Sequence, residues 1–197
     1  MSGVPSEAYR IPRHIGIFGG SFDPPHVSHV LAVHYALLVW PLDHVFVIPT
    51  YQHPFGKAMA DFKHRVKMAK IAFEHLGDKV WVLPIEGEHE GPSYTIDTIR
   101  QLKAQYPESQ FSLIVGSDIL DELDEWKDHD ALRREIEFLV IPRVGVKVES
   151  NGTTPEGVLP AVSSSAVRAA LAQKQDVSKW VPRRVLQYIS EYELYSS

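Results

Sequence analysis

Two small groups of residues in this chain have the types and the spacing to hold an anion. His26 and His29 stand three apart in "GGSFDPPHVSHV", directly after two glycines and two prolines. Side chains three apart at a helix start point the same way. Two such imidazoles can donate hydrogen bonds to phosphate oxygens, aided by the positive end of the helix. Two plainer readings stand beside this one. The pair can be structural, or it can be half of a metal site, although nothing nearby supplies a third and fourth ligand and His34 falls on another face. Toward the other end, "VSSSAVRAAL" sets Ser164 and Ser165 at a second helix start with Arg168 one turn in. Serines there cap free amides and can also donate to an anion; the alternative is a simple cap beside a solvated arginine. Two helix-start anion sites in one chain suit a polyphosphate.

The elements that must position these groups follow from periodicity. Residues 14–18 read as a short strand, and 27–39 as a helix after the glycine turn. Residues 43–48 form the next strand, and the stretch from Asp61 an amphipathic helix with Phe62, Val66, Ala69 and Phe73 on one face. Strands from Lys79, Gln110 and Glu137, a helix from Tyr94 and two closing helices complete the order. Short, nearly all-apolar strands alternating with longer helices predict an α/β fold: a doubly wound, Rossmann-like parallel sheet with helices on both faces and a helical C-terminal segment. In such sheets ligands bind beyond the carboxyl ends of the strands, which directs attention to the turns after Phe18, Ile48, Ile85, Val115 and Ile141. The segment from Val144 to Glu156 reads as a surface connection. "GGSFDPPH" is neither the Gly-x-Gly-x-x-Gly fingerprint nor a Walker phosphate loop.

Composition narrows the class. At 197 residues the chain fits one domain able to bury a core without disulfides or structural metal, with residues 1–12 as an N-terminal extension. Cysteine is absent. The opening "MSGVPSEAYR" lacks a signal-peptide core, and no apolar run approaches the roughly 20 residues that span a bilayer. A soluble, cytoplasmic protein without a membrane partner is expected. The net charge of −5 argues against a nucleic-acid partner. Any anionic ligand must therefore be held locally.

Taken together, "GGSFDPPHVSH" and "SSSAVR" resemble the nucleotidyltransferase superfamily marked by a His-x-Gly-His and an Ile-Ser-Ser-Thr-x-x-Arg motif. Within it the likeness is to the bacterial nicotinate mononucleotide adenylyltransferases, carried further by "GPSYTIDTIRQL", "IVGSDILDELDEW", "FLVIPR" and "VPRRVLQYISEYELY" in the same order. It covers the chain from Ile15 to Tyr195. The resemblance implies transfer of the adenylyl group of ATP to nicotinate mononucleotide, with Mg²⁺ and without a covalent enzyme intermediate. In such a reaction the protein supplies position and charge stabilisation.

Carried over by motif, His26, His29 and Arg168 are the catalytic residues: the histidines on the phosphates of ATP, Arg168 with Ser164 and Ser165 on those that leave as pyrophosphate. The resemblance makes Gly19, Gly20, Ser21 and Phe22 the backbone cradle, and Gly116 and Asp118 the ribose site. It puts Lys57, Tyr94, Thr95 and Trp126 on the acceptor, Trp126 stacking on the nicotinate ring. No metal site built from protein side chains is expected, and homo-oligomerisation is left open.

Two departures stand out. Ser28 replaces the family glycine where backbone and ATP are expected to lie close, and "YQHPFGK" replaces a Pro-Pro-His-Lys segment, with Lys57 in place of the family lysine. Two rivals follow: a superfamily transferase for nicotinamide mononucleotide, phosphopantetheine or a polyol phosphate, and a nucleotide-binding regulator that has lost turnover.

Overall fold

The computed structural model describes residues 12–53, 56, 58–88, 91–143 and 159–196. Five strands, β1 (His14–Gly20), β2 (His44–Pro49), β3 (Val80–Val82), β4 (Gln110–Gly116) and β5 (Glu137–Ile141), form one parallel sheet in the order β3-β2-β1-β4-β5. Six α-helices surround it: α1 (Val27–Val39), α2 (Phe62–Phe73), α3 (Thr95–Gln105), α4 (His129–Glu135), α5 (Ser164–Ala172) and α6 (Arg183–Glu191).

Alternation along the strands builds two cores. Phe18, Val45, Val47 and Ile114 face one way, onto α1, α2, α5 and α6. Ile15, Ile17, Phe46, Ile48, Leu113 and Val115 face the other, onto Ile96, Ile99 and Leu102 of α3 and Leu132 of α4. A sheet buried on both faces needs strands that are apolar throughout, and these are. Gly16 in the middle of β1 has a packing reason: a Cβ there would stand 2.7 Å from Ile114 Cδ1 and 2.9 Å from Leu42 Cδ1.

The order of elements agrees with the periodic pattern, with differences at the edges. β1 runs on to Gly20, which pairs with Pro49 of β2. β3 is only three residues long, because Pro84 has no N–H to extend a ladder; the chain instead enters a 3₁₀ turn over Ile85–Glu88. The periodic pattern gave no sign of α4 or of the 3₁₀ stretch Ser117–Glu125. Residues 1–11 and the connection at 144–156 lie outside the described residues. Among the described residues no helix is long and apolar enough to cross a membrane.

The strand order reverses direction between β1 and β4, which lie side by side at the centre while their chain continuations lead to opposite edges. At that switch point the loops leaving the two strands part and leave a crevice.

Candidate active site

A cavity of about 510 Å³ occupies this crevice. Gly19, Gly20 and Ser21 line it from the end of β1, Gly116 and Asp118 from the end of β4, Tyr94 and Thr95 from the start of α3, and Trp126 from the loop before α4. His29 reaches it from the first turn of α1. Residues from five parts of the sequence thus share one space.

The histidine pair is built by the start of α1. His26 is the N-cap, in extended conformation, and His29 lies one turn on. Their rings stack with centroids 3.8 Å apart, and the His26 amide donates to His29 Nδ1 at 3.1 Å. Phe22 backs them, its ring 5.0 Å from that of His29. Phe22 is fully buried and sits at φ 47, a left-handed backbone that costs a bulky residue about 1–3 kcal/mol and persists only where the surroundings impose it. Gly20 permits the arrangement, since the Phe22 ring packs against its α-carbon. Burial, reinforced by the Arg143 guanidinium, lowers the His26 pKa to about 4. Burial also holds His29 well below the usual imidazole value, with His26 and Arg143 adding to the effect. Both rings are neutral at pH 7.

Ser28, the departure from the family glycine, points away from the cavity. It is buried, and its hydroxyl donates to the Pro160 carbonyl at 2.9 Å. It therefore ties α1 to the segment leading into α5.

Behind the glycine turn lies a buried polar network. Asp23 is fully buried; its backbone carbonyl accepts from Arg168 Nη1 at 2.7 Å, and its carboxylate pairs with the same nitrogen at 3.2 Å. Ser164 donates to the Pro24 carbonyl at 2.9 Å, and Ser165 accepts from Arg168 Nη2 at 3.3 Å, keeping its own proton. The start of α5 is thus docked on the 23–24 turn. Arg65, also buried, donates to the carbonyls of Ala60, Ser21, Thr50 and Tyr51, stitching the turn after β1 to the loop after β2.

At the end of β4, Asp118 Oδ2 pairs with Arg143 Nη1 at 3.0 Å. Asp118 Oδ1 and Arg143 Nε are buried without a hydrogen-bond partner among the described residues. Gly116 makes room for both: a Cβ there would stand 2.3 Å from that Oδ1 and 3.1 Å from that Nε. A carboxylate oxygen and a guanidinium N–H with spare hydrogen-bonding capacity at a cavity wall are the groups that a polar ligand satisfies.

The end of the cavity beside α3 is shaped by Glu86. Its carboxylate accepts from Thr98 Oγ1 at 2.9 Å and from the Tyr51 amide at 3.2 Å, fixing the loop after β2 to α3. Burial pushes its pKa up. Lys127 Nζ lies 4.4 Å from the centroid of the Tyr94 ring.

Of the residues singled out from the sequence, nine line the cavity: Gly19, Gly20, Ser21, His29, Tyr94, Thr95, Gly116, Asp118 and Trp126. His26 stacks behind His29, and Phe22 belongs to the core beneath it. Ser164 and Arg168 are anchored on the 23–24 turn and Ser165 on Arg168, rather than on the cavity wall. Lys57 lies outside the described residues. Sequence reasoning missed Arg143, Asp23, Arg65 and Glu86 as parts of the site. Arg143 did carry a signal, since it lies two residues past the end of β5, at one of the strand ends where ligands collect. So did Arg65, a cation on the apolar face of α2, three residues after Phe62.

The sequence profile described as "Cytidylyltransferase-like" matches residues 17–170. A probable nicotinate-nucleotide adenylyltransferase of Anaeromyxobacter dehalogenans is 38% identical over 186 residues, 93% of this chain and 97% of that protein. The nicotinate-nucleotide adenylyltransferase of Bacillus subtilis is 36% identical over 193 residues, 94% of this chain and all of that one. In fold, the chain is similar to the solved nicotinic acid mononucleotide adenylyltransferase of Plasmodium falciparum, with a TM-score of 0.79 at 24% identity over 93% of this chain and 97% of that one.

Proposed function

The chain belongs to the cytidylyltransferase-like family, alongside the nicotinate-nucleotide adenylyltransferases, and from that membership we propose that it transfers AMP from ATP to nicotinate mononucleotide. A phosphate oxygen of the mononucleotide attacks the α-phosphorus of ATP. The bond from that phosphorus to the bridging oxygen of the β-phosphate breaks. Nicotinate adenine dinucleotide forms and pyrophosphate leaves, with no covalent bond to the protein. This is a step of NAD biosynthesis.

The observation that carries this reading is the single cavity at the switch point, which His29, Asp118 and the start of α3 line together. Phosphate, ribose and pyridine groups of two substrates can meet there. His29 donates through Nε2, because its Nδ1 is occupied by the His26 amide. A neutral imidazole N–H fixed in advance stabilises charge building on the α-phosphate without reorganising. Arg168, with Ser165 and the first amides of α5, receives the departing phosphates; Ser164 braces that helix against Pro24. Asp118 Oδ1 accepts a ribose hydroxyl, and Gly19, Gly20 and Ser21 admit the nucleotide close to the backbone. Among the described residues no three His, Asp or Glu side chains converge on a metal position. Mg²⁺ accompanies the triphosphate oxygens as MgATP, the manner in which this ion usually enters phosphoryl-transfer sites.

At the other end, Tyr94 and Thr95 offer amides of the first turn of α3 to the nicotinate carboxylate, and Trp126 covers the ring. Mixing the protein with MgATP and a panel of phosphorylated acceptors while following pyrophosphate tests the assignment. Release that depends on nicotinate mononucleotide supports it; ATP binding without release under any acceptor would favour a regulator.

A further inference from the structure

Arg168 is oriented from the far end of the chain. Its Nη1 is held by the backbone carbonyl and the Oδ2 of Asp23. The other carboxylate oxygen, Oδ1, accepts the Tyr195 hydroxyl at 2.8 Å and the Ala60 amide at 3.1 Å. A carboxylate as buried as this one is stable only when paired and hydrogen-bonded, so each of these contacts limits how it can turn. Tyr195 adopts a φ of 64, a left-handed backbone in which a bulky residue stays only when its surroundings hold it. Its ring packs on the core that contains α1 and α5. Burial, with Asp23 adding to it, pushes the phenol pKa up, so the group remains a donor.

We propose that Tyr195 is a positioning residue for adenylyl transfer: its hydroxyl fixes the Asp23 carboxylate, which orients the Arg168 guanidinium and leaves Nε, and the Nη2 proton not given to Ser165, for phosphate. The hydroxyl acts in a second way. By drawing negative charge onto its own hydrogen bond, it reduces how far Asp23 neutralises Arg168, and more of that cation is available to a polyphosphate. The inference rests on the proposed role of Arg168 toward the outer phosphates of ATP.

Tyr195→Phe removes the hydroxyl and keeps the packed ring. Hydrogen bonds to charged groups are strong enough that KM for ATP should rise on the order of tenfold, with KM for nicotinate mononucleotide unchanged. Tm without ligand should fall by a few degrees, the cost of the lost hydrogen bond, and the ATP-induced rise in Tm should shrink in addition. In an Arg168→Ala background the same substitution should add nothing, since the two act as one unit. An unchanged KM for ATP, equal rises for both substrates, or effects that multiply in the double variant would overturn the inference. So would a Tyr195→Phe protein that fails to fold, because the bond would then serve the fold alone. The underlying reading fails separately: Arg168→Ala with an unaltered KM for ATP would remove Arg168 from the phosphate site, whatever Tyr195 does.

Discussion

His29 accepts the backbone N–H of His26 on Nδ1 at 3.1 Å, and the two rings stack at 3.8 Å. His29 is thereby fixed in one tautomer, and the stacked rings in one orientation, before any ligand arrives. His29→Ala should keep the fold and lower kcat by on the order of 10²-fold, the usual cost of losing a positioned donor to developing charge. His26→Ala should act in the same direction by releasing the stacked ring. Steady-state pyrophosphate release by the purified variants measures both, and near-normal turnover in His29→Ala would return the pair to a structural role.

The same pair makes stability depend on pH. The folded-state pKa of His26 is about 4 and that of His29 is also lowered, against 6.5 for the free side chain. Between those values the unfolded chain binds more protons than the folded one, so stability rises with pH across the window. It is present in full above 6.5 and is lost as pH falls toward 4. Glu86, whose pKa is raised by burial, works in the opposite sense above its unfolded value. Urea midpoints taken from about pH 7.5 down to about pH 5 should fall, and fall less steeply in a His26→Ala/His29→Ala variant. Equal slopes would assign the dependence to other groups.

Ser28 departs from the family glycine without touching the cavity. Ser28→Gly removes its hydrogen bond to Pro160 and places glycine in the first turn of α1. A destabilisation of about 1–2 kcal/mol is expected in chemical denaturation, with KM for ATP unchanged. A large rise in that KM would show that the hydroxyl serves the nucleotide.

How far the sequence speaks depends on the distance over which each feature is decided. The turn at Gly19 and Gly20, α1 and the apolar runs of β1, β2 and β4 are local patterns, and the structure places them where periodicity put them. α4 is seven residues with only Ala131 and Leu132 apolar, too short a stripe for periodicity to register. The cavity wall from Gly19 to Trp126 was legible because motifs mark strand ends. The buried partners were not: Asp23 meets Arg168 across 145 positions and Tyr195 across 172. No local pattern encodes which carbonyl a buried arginine such as Arg65 will find.

This cavity should accept the acid form of the pyridine mononucleotide in preference to the amide. α3 begins at Thr95 beside the cavity, with Tyr94 as its N-cap. First-turn amides and the positive helix end favour a carboxylate, whereas nicotinamide would face those donors with its own NH₂. Such a mismatch costs about 2–3 kcal/mol, or discrimination on the order of 10²-fold. The ratio of kcat/KM for nicotinate and nicotinamide mononucleotides, with MgATP saturating, is the measurement that decides. A preference for the acid on the order of 10²-fold is predicted; equal values or a preference for the amide would contradict the account.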